Sequence, residues 1–167
     1  MESQDAVLQS LRKIGLQPPG GMMRLIVQQS NCSRIGARSE TAHEKPSFRD
    51  AWRNQQHCIN PAEAIFEPDW RSGKSVATRI TRADGEPMGI AGLWSWWKLL
   101  QAEMAHSYMM LSINADAHAL MRHLHEPSDE ILPEAAYGRW LHAPAQHSMQ
   151  FLRPFPAERL LAMVSDD

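Results

Sequence analysis

The chain has 167 residues, of which 43% are hydrophobic and 22% are charged, and its formal net charge at pH 7 is -2. The hydrophobic content excludes an intrinsically disordered chain, no run of about 18 apolar residues suggests a membrane-spanning helix, and two cysteines are too few for a disulfide scaffold. This length is typical of one domain with a core of its own, so we expect a single cytoplasmic domain over residues 1–167, with no secretory signal at its start.

Charge is unevenly distributed along the chain. Residues 1–100 contain 13 lysines and arginines and 10 acidic residues, whereas residues 101–167 contain 4 and 9. A basic face in the first part would attract phosphate groups. An ordinary solvated surface explains the same composition, and on charge alone we favour that interpretation.

The first predicted elements are short. Apolar residues at helical spacing predict a helix over residues 5–14, and residues 22–27 are typical of a short strand. Ser47 has the character of a helix N-cap, so residues 48–55 are expected to form a helix that presents its aromatic side chains to the core. A further strand is expected at residues 57–59.

The centre of the sequence predicts strands around one carboxylate. The run Ala64-Ile65-Phe66-Glu67 places a glutamate directly after an apolar triplet. Residues 76–80 alternate between apolar and polar side chains, and Asp84-Gly85 suits a turn that needs a positive φ. Residues 88–94 are the expected partner strand. We therefore expect a hairpin, with Glu67 at the mouth of a sheet.

The last third of the chain predicts one more strand and three short helices. An apolar run over residues 107–113 is typical of a buried strand, and helices are expected over residues 116–124, 134–141 and 147–152. The strands adjoin one another without regular crossover helices. The predicted fold class is therefore α+β, with a mainly antiparallel sheet.

Several segments, taken in order, resemble one known family. The clearest is Gly36-Ala37-Arg38-Ser39-Glu40-Thr41, which is similar to the pattern Asn-Ala-Arg-x-Glu-Thr. Further similar segments are residues 47–52, 58–62, 65–68, 82–87, 90–94, 113–116, 120–122 with His125, and 155–160. Together they resemble the SOS response-associated peptidase (SRAP) domain of the abasic-site processing proteins, with good coverage from about residue 36 to residue 160.

The resemblance implies a fold and a chemistry. The fold would be a compact, barrel-like β body with flanking short helices and a groove for single-stranded DNA, incomplete in this chain. Members of the family bond covalently to the aldehyde of an abasic site through a cysteine exposed after removal of the initiator methionine. A glutamate moves protons during ring opening and closure, and a histidine steadies the Schiff base.

The resemblance assigns site residues one by one. Glu67 matches the glutamate, and His125 matches the histidine, with His123 as a second choice. Arg38 matches the arginine that holds the DNA backbone, and Gly36 replaces the asparagine, which removes one polar contact. The loop after Glu67 adds Trp70 and Arg71 as residues expected to contact DNA.

Two departures from the family pattern bear on the chemistry. Met1-Glu2 stands where Met-Cys is expected, so we expect no stable thiazolidine crosslink, while lyase-type chemistry through the α-amine of Met1 stays open. After His125, residues 126–130 lead straight into Ile131-Leu132-Pro133 instead of a basic-Met-Pro step and an apolar strand. The sheet is therefore expected to be shortened.

Each candidate has a structural alternative. Glu67 would serve equally as an exposed strand-end residue or in an ion pair with Arg38 or Lys74, and Arg38 would serve in a salt bridge to Glu40. His125 would serve as a surface loop residue. Without the resemblance, the spacing favours the structural alternative for Glu67, and the resemblance reverses that preference.

Other chemistry is less well supported. His118 and His123 are five residues apart, which is poor spacing for one helical face, so neither a metal nor another cofactor is expected. Cys58 follows the pattern of a buried, inert cysteine, and Cys32 lies in a polar loop. Among the tryptophans we expect Trp94 in the core, whereas Trp96 and Trp97 fit either the core or stacking on unpaired bases.

We therefore expect a monomeric DNA-damage-response protein that binds abasic sites in single-stranded DNA, without membrane contact and nucleoid-associated when bound. Glu67, His125 and Arg38 would form the site, and the resemblance implies lyase, crosslinking and autoprocessing peptidase activities. The alternative is an inactive family copy that binds single-stranded DNA without chemistry, or a small interaction module.

Overall fold

The structure is a computed structural model, and it describes residues 37–98, 104–114, 116, 118–124 and 128–164. The elements predicted over residues 5–14 and 22–27 lie outside these ranges, as do Cys32, Gly36 and His125. Within strands and turns, the side chains of Trp97, Lys98, His123, Ser128 and residues 104–106 are also outside the description.

Nine strands and several short helices make up the described fold. The strands are β1 (Ala37–Arg38), β2 (His57–Ala62), β3 (Ile65–Asp69), β4 (Val76–Arg82), β5 (Met88–Lys98), β6 (Met104–Ile113), β7 (Ser128–Asp129), β8 (Ile131–Leu132) and β9 (Leu160–Val164). The α-helices are α1 (Ser39–Ala42), α2 (Arg49–Arg53) and α3 (Tyr137–Leu141), and 3-10 helices span Met121–His123, Glu134–Ala136, Ala145–Phe151 and Ala157–Arg159. No helix in these ranges is long and apolar enough to cross a membrane.

The strands form two sheets. The larger has six strands in the order β1-β6-β5-β2, with β7 paired to β6 and β8 paired to β5. The smaller has three strands in the order β3-β4-β9. All pairs are antiparallel except the parallel pair of β1 and β6. The predicted α+β class with mainly antiparallel strands is confirmed, and neither sheet closes into a barrel within the described residues.

Two cores lie on opposite faces of β5. Ala91 and Leu93 pack with the indoles of Trp52 and Trp140 on one face, beneath α2 and α3. Both indoles are satisfied: Trp52 Nε1 donates to the carbonyl of Ala145 at 3.2 Å, and Trp140 Nε1 donates to that of Cys58 at 2.9 Å. This matches the expectation that aromatic residues near 48–55 face the core.

The second core joins the two sheets. Met88 and Ile90, on the other face of β5, pack against Ile65 of β3 and Ile80 of β4, and the cluster includes Leu160 of β9. The side chains of residues 87–93 are all buried, because β5 is covered on both faces. β4, by contrast, buries only alternate residues, as its sequence predicts.

The predicted hairpin between residues 76–80 and 88–94 is wrong. β4 pairs with β3 and β9, whereas β5 pairs with β2, β6 and β8. The turn itself forms as expected, with φ of 76° at Gly85. After the turn, the chain crosses to the larger sheet because a strand apolar on both faces needs a central position, whereas β4 needs only one covered face.

Three local predictions also differ from the structure. Among the residues of 116–124 that the structure describes, the helical ones are Met121–His123, which form a single 3-10 turn. Ser47 does not cap α2, whose N-cap is Phe48 and lacks a side-chain cap bond. The strand expected at residues 57–59 continues through Pro61 to Ala62, and Pro61 lies opposite Gly89 of β5.

Candidate functional site

Glu67 lies on the inner face of the smaller sheet. In β3, Ile65 and Glu67 point toward the core and are 6% and 2% exposed, whereas Phe66 between them points outward and is 47% exposed. Across the β3–β4 hairpin, Glu67 lies opposite Thr78, whose side chain is also buried. The alternative of an exposed strand-end glutamate is therefore wrong, and Glu67 is buried more deeply than its sequence position predicts.

Arg38 lies on the larger sheet, at the end of β1. It pairs with Ser112 of β6, and its side chain is exposed. Among the ion pairs of the described residues, none joins Arg38 to Glu40 or to Glu67. The Oε1 atom of Glu40 instead accepts the backbone N–H of Asn114 at 2.9 Å. With respect to these residues, the exposed guanidinium of Arg38 is available to an anion from solution.

The loop after β3 exposes an aromatic ring and orders an arginine. Trp70 is 54% exposed. Arg71 is exposed as well, but Asp69 holds it through three side-chain bonds: one from Nη2 at 2.6 Å and two from Nε at 2.9 and 3.0 Å. Of the two residues expected here to contact DNA, Trp70 offers a free ring, whereas Arg71 offers the edge of a guanidinium that is already neutralised.

An aromatic patch forms on one face of β5 and β6, defined by Trp94, Trp96, Tyr108 and Met110. Trp94 and Trp96 point to the same side, and Trp94 lies opposite Tyr108. Trp96 is 53% exposed and Tyr108 43% exposed, whereas Trp94 is half-buried. The structure thus places Trp96 at the surface, and Trp94 is only partly in the core.

The cysteine of the described residues is not activated. Cys58 lies beside the aromatic patch. Burial raises the pKa of its thiol to about 12, although a hydrogen bond with Asn60 partly lowers that pKa. A thiol attacks an aldehyde as the thiolate, which is scarce at neutral pH when the pKa is this high. Cys58 is therefore an inert packing residue, as the sequence predicts.

His118 has a structural role. Its Nδ1 accepts the backbone N–H groups of Leu120 and Met121, at 3.2 and 3.1 Å, and its Nε2 bonds to the carbonyl of Phe155 at 2.5 Å. Both ring nitrogens are therefore in use. No grouping of three His, Cys, Asp or Glu side chains that would hold a metal ion occurs in the parts of the chain that the structure describes.

Glu130 is a buried carboxylate that the sequence analysis did not single out. It is 1% exposed, and neither carboxylate oxygen has a hydrogen-bond partner of normal geometry among the described residues. Burial raises its pKa to about 8; the backbone of Arg153 opposes part of the rise and the carboxylate of Glu40 adds to it. The sequence did contain a signal for Glu130: it stands directly before Ile131-Leu132, at the point where the family pattern has a basic-Met-Pro step and an apolar strand instead.

Two depressions lie elsewhere on the described surface. The smaller, beside His118 and Glu130, has a volume of only about 10 Å³. The larger is an open groove that includes Arg139, Arg153 and Arg159. Neither is lined by Glu67 or Arg38. Because Gly36 and His125 lie outside the described ranges, the grouping of all four residues stays a prediction.

Comparison with known proteins supplies the remaining context. The family model described as SOS response associated peptidase (SRAP) matches residues 5–166. The abasic site processing protein YobE of Bacillus subtilis is 27% identical over 132 residues, which cover 77% of this chain and 59% of that protein. YoaM, an abasic site processing protein of the same organism, is 28% identical over 135 residues, covering 77% and 57%. The chain thus spans less than two thirds of the length of these relatives.

Solved structures show the same fold. A crystal structure of a protein from Bordetella bronchiseptica superposes with a TM-score of 0.77 at 50% sequence identity, covering 89% of this chain and 73% of that one. A protein from Bacteroides thetaiotaomicron superposes with a TM-score of 0.66 at 23% identity, covering 78% and 58%. At that identity, the second comparison informs the fold alone.

Proposed function

The chain belongs to the SOS response associated peptidase (SRAP) family, and from this membership we propose that it acts in the response to DNA damage by binding abasic sites in single-stranded DNA. Relatives that are 27–28% identical to it over the aligned region are named abasic site processing proteins. They are longer than the matched region, so their activity is carried over here as a proposal.

One observation carries the proposal: a carboxylate is buried on the inner face of the β3–β4 hairpin. Glutamate is rarely buried this completely unless it has a specific partner or task. Glu67 is 2% exposed, and it lies between Ile65 and the partly buried Asp69 on the same face of β3. A carboxylate positioned beside an aldehyde would move protons in carbinolamine formation and dehydration, a role for which glutamate is well suited.

The surrounding side chains suit an unpaired strand. The exposed guanidinium of Arg38 matches the geometry of phosphate oxygens. Trp70 and Trp96, both more than half exposed, offer rings on which bases would stack, worth about 1–3 kcal/mol per base. We assign Arg38 to the backbone of the DNA, and Trp70 and Trp96 to bases that flank the abasic position.

The proposed chemistry does not use the thiol of Cys58. With its pKa raised to about 12, that thiol is protonated near neutral pH. An amine remains the group able to react: amine and aldehyde add to a carbinolamine, which loses water to form an imine. Glu67 would take a proton from the nitrogen and deliver it to the hydroxyl oxygen, which then leaves as water. His125 is proposed to steady the imine, on the strength of the family resemblance.

A second candidate function is binding of single-stranded DNA without chemistry. The depth of Glu67 favours it, because a carboxylate that is 2% exposed has little access to a substrate until the hairpin moves. Under this alternative Arg38 and the exposed tryptophans still bind DNA, and Glu67 only supports the fold.

Borohydride trapping on abasic single-stranded DNA separates the two candidates, because hydride reduces an imine to a stable secondary amine. We expect the unmodified chain to give a trapped adduct, and Glu67→Gln to lower its yield about tenfold or more, since proton transfer contributes at least that much. Glu63→Gln is the matched control, because Glu63 is an exposed carboxylate in the loop before β3.

Three outcomes decide the matter. Loss of adduct in Glu67→Gln but not in Glu63→Gln supports the proposed chemistry. DNA binding without any adduct supports the second candidate. Absence of DNA binding contradicts both.

A further inference from the structure

We propose that the open groove at the end of the smaller sheet binds the phosphates of a single DNA strand, at a position separate from the abasic site; this rests on the proposed function. We call it the arginine groove and define it by Arg139, Arg153, Arg159, Phe151 and Phe155. Its volume is about 470 Å³, and it opens to solvent. Three prolines complete its walls.

The positive charge of the groove is not predicted by the composition of the part of the chain that forms it. Residues 101–167 contain 4 lysines and arginines against 9 acidic residues, and three of those four basic side chains line the groove. All three are exposed. The fold therefore concentrates positive charge in a part of the chain that is acidic on average, which is the pattern expected of an anion site.

Two of the arginines are held in place by aromatic rings. The Cζ of Arg139 lies 5.7 Å from the ring centroid of Phe151, and that of Arg159 lies 5.0 Å from the ring of Phe155. Such cation–π contacts fix the plane of a guanidinium and leave most of its N–H edge available. In Arg139, Nη2 also donates to the carbonyl of Ala135 at 3.4 Å, and its other donors make no hydrogen bond among the described residues. The entropy lost on binding an anion is therefore smaller than for free side chains.

The third arginine is anchored through a backbone carbonyl. The Nε of Arg153 donates to the carbonyl of Gln150 at 3.1 Å, which leaves its two terminal nitrogens for a ligand. The three guanidiniums thus present forks of donors that match phosphate oxygens. Because Phe151 and Phe155 already carry guanidiniums, the groove offers donors for the DNA backbone and none of the free rings that base stacking needs.

Nearby acidic groups are largely engaged by another residue. Arg82 is buried and binds the carboxylates of both Asp84 and Glu134, at 2.5 and 2.6 Å. Arg159 approaches Asp84 only at 3.8 Å, and its side chain is 46% exposed. Glu158 is exposed beside it. Arg82 therefore holds both carboxylates and offsets one of their two negative charges.

The groove lies at the far end of the smaller sheet from Glu67. Leu160, which follows Arg159, pairs with Arg82 at one end of β4, whereas Glu67 pairs with Thr78 four residues away. At about 3.3 Å per strand residue this separation is roughly 13 Å along the sheet. A strand of several nucleotides would span both positions, which favours DNA over a small free anion.

The test measures binding of an intact single-stranded oligonucleotide of about 20 nucleotides, with no abasic site, as a function of salt. For single strands, the slope of log affinity against log salt becomes shallower by about 0.7 for each phosphate that the protein no longer neutralises. We expect Arg139→Gln/Arg153→Gln/Arg159→Gln to reduce the slope by about 2. Lys45→Gln/Arg49→Gln/Arg53→Gln, which removes the same charge from the region of α2, should reduce it much less.

Two further variants guard against misfolding. Arg153→Gln alone disturbs no cation–π pair and should reduce the slope by about 0.7. The triple Arg→Lys variant keeps the charge and should therefore retain most of the slope. An unchanged slope in the groove variants, or an equal reduction in the control, overturns the proposal. The proposal is also overturned if polyglutamate binds as tightly as the oligonucleotide and loses its binding in the same arginine variants. Because the oligonucleotide has no aldehyde, the result is independent of adduct formation.

Discussion

Two buried glutamates differ in what surrounds them. The side chain of Glu67 lies on the inner face of the smaller sheet. Glu130 lies between β7 and β8, and both of its carboxylate oxygens lack a normal hydrogen bond within the described residues. The pKa of Glu130 is raised to about 8 because burial penalises its charged form. Glu130 is therefore protonated near neutral pH and titrates in an accessible range.

The raised pKa of Glu130 predicts how stability depends on pH. The unfolded chain releases this proton near pH 4.5 and the folded chain near pH 8, so the folded state holds more protons between these values. The contribution of Glu130 is greatest below pH 4.5 and is lost as pH rises toward 8. We expect the free energy of unfolding to fall over this range by up to about 1.4 kcal/mol per pH unit.

His57 opposes this trend only at lower pH. Burial lowers the pKa of His57 from 6.5 to about 4, so its contribution to stability grows as pH rises through this range and levels off above pH 6.5. Urea unfolding of the unmodified chain and of Glu130→Gln between pH 6.5 and 8 isolates Glu130, because both proteins share every other titrating group. Glu130→Gln should remove the decline in that window, and an equal decline in both proteins would contradict the assigned environment.

At the scale of elements, β5 organises the molecule. It is the strand on which both cores converge, and its glycines allow neighbours to approach closely. A Cβ built at Gly92 would lie 2.4 Å from Asn60 Nδ2 and 2.5 Å from the carbonyl oxygen of Met109. Because one of these atoms is backbone of β6, the strand pairing itself would have to shift.

Gly92→Ala should therefore destabilise the fold by about 2 kcal/mol, as overpacking a well-packed core does. Gly138→Ala in α3 is the matched control, because a Cβ there would meet nothing within 4 Å. The control should be neutral or stabilising by up to about 1 kcal/mol, since alanine is the better helix former. Chemical unfolding of both variants checks this, and a harmless Gly92→Ala would contradict the close packing of β5 and β6.

The elements show where sequence patterns were sufficient. Alternation in β4 and the continuous apolar run of β5 predicted both strands, and Gly85 predicted the turn. Which strands pair was not predicted, because consecutive strands can join one sheet or cross to another. The helix expected at 116–124 failed because the ring of His118 takes the N–H groups of Leu120 and Met121, which competes with helical bonding.

At the scale of the whole molecule, the resemblance to the SRAP family is confirmed, since the family model matches residues 5–166. The resemblance was recognised from several short segments that occur in the same order along the chain as in the family, because together they are typical of one fold. The site was less predictable. The burial of Glu67 and the convergence of three arginines depend on long-range packing, and no local pattern in the sequence encodes either.

The central claim is that this fold distinguishes an abasic site from an ordinary nucleotide in single-stranded DNA. The most direct measurement is the ratio of dissociation constants for two oligonucleotides of one sequence, one intact and one with a single abasic position, at the same salt concentration. We expect the abasic strand to bind at least about tenfold more tightly, which is about 1.4 kcal/mol. Equal affinities would contradict the claim and leave a family member that binds single strands through their backbone alone.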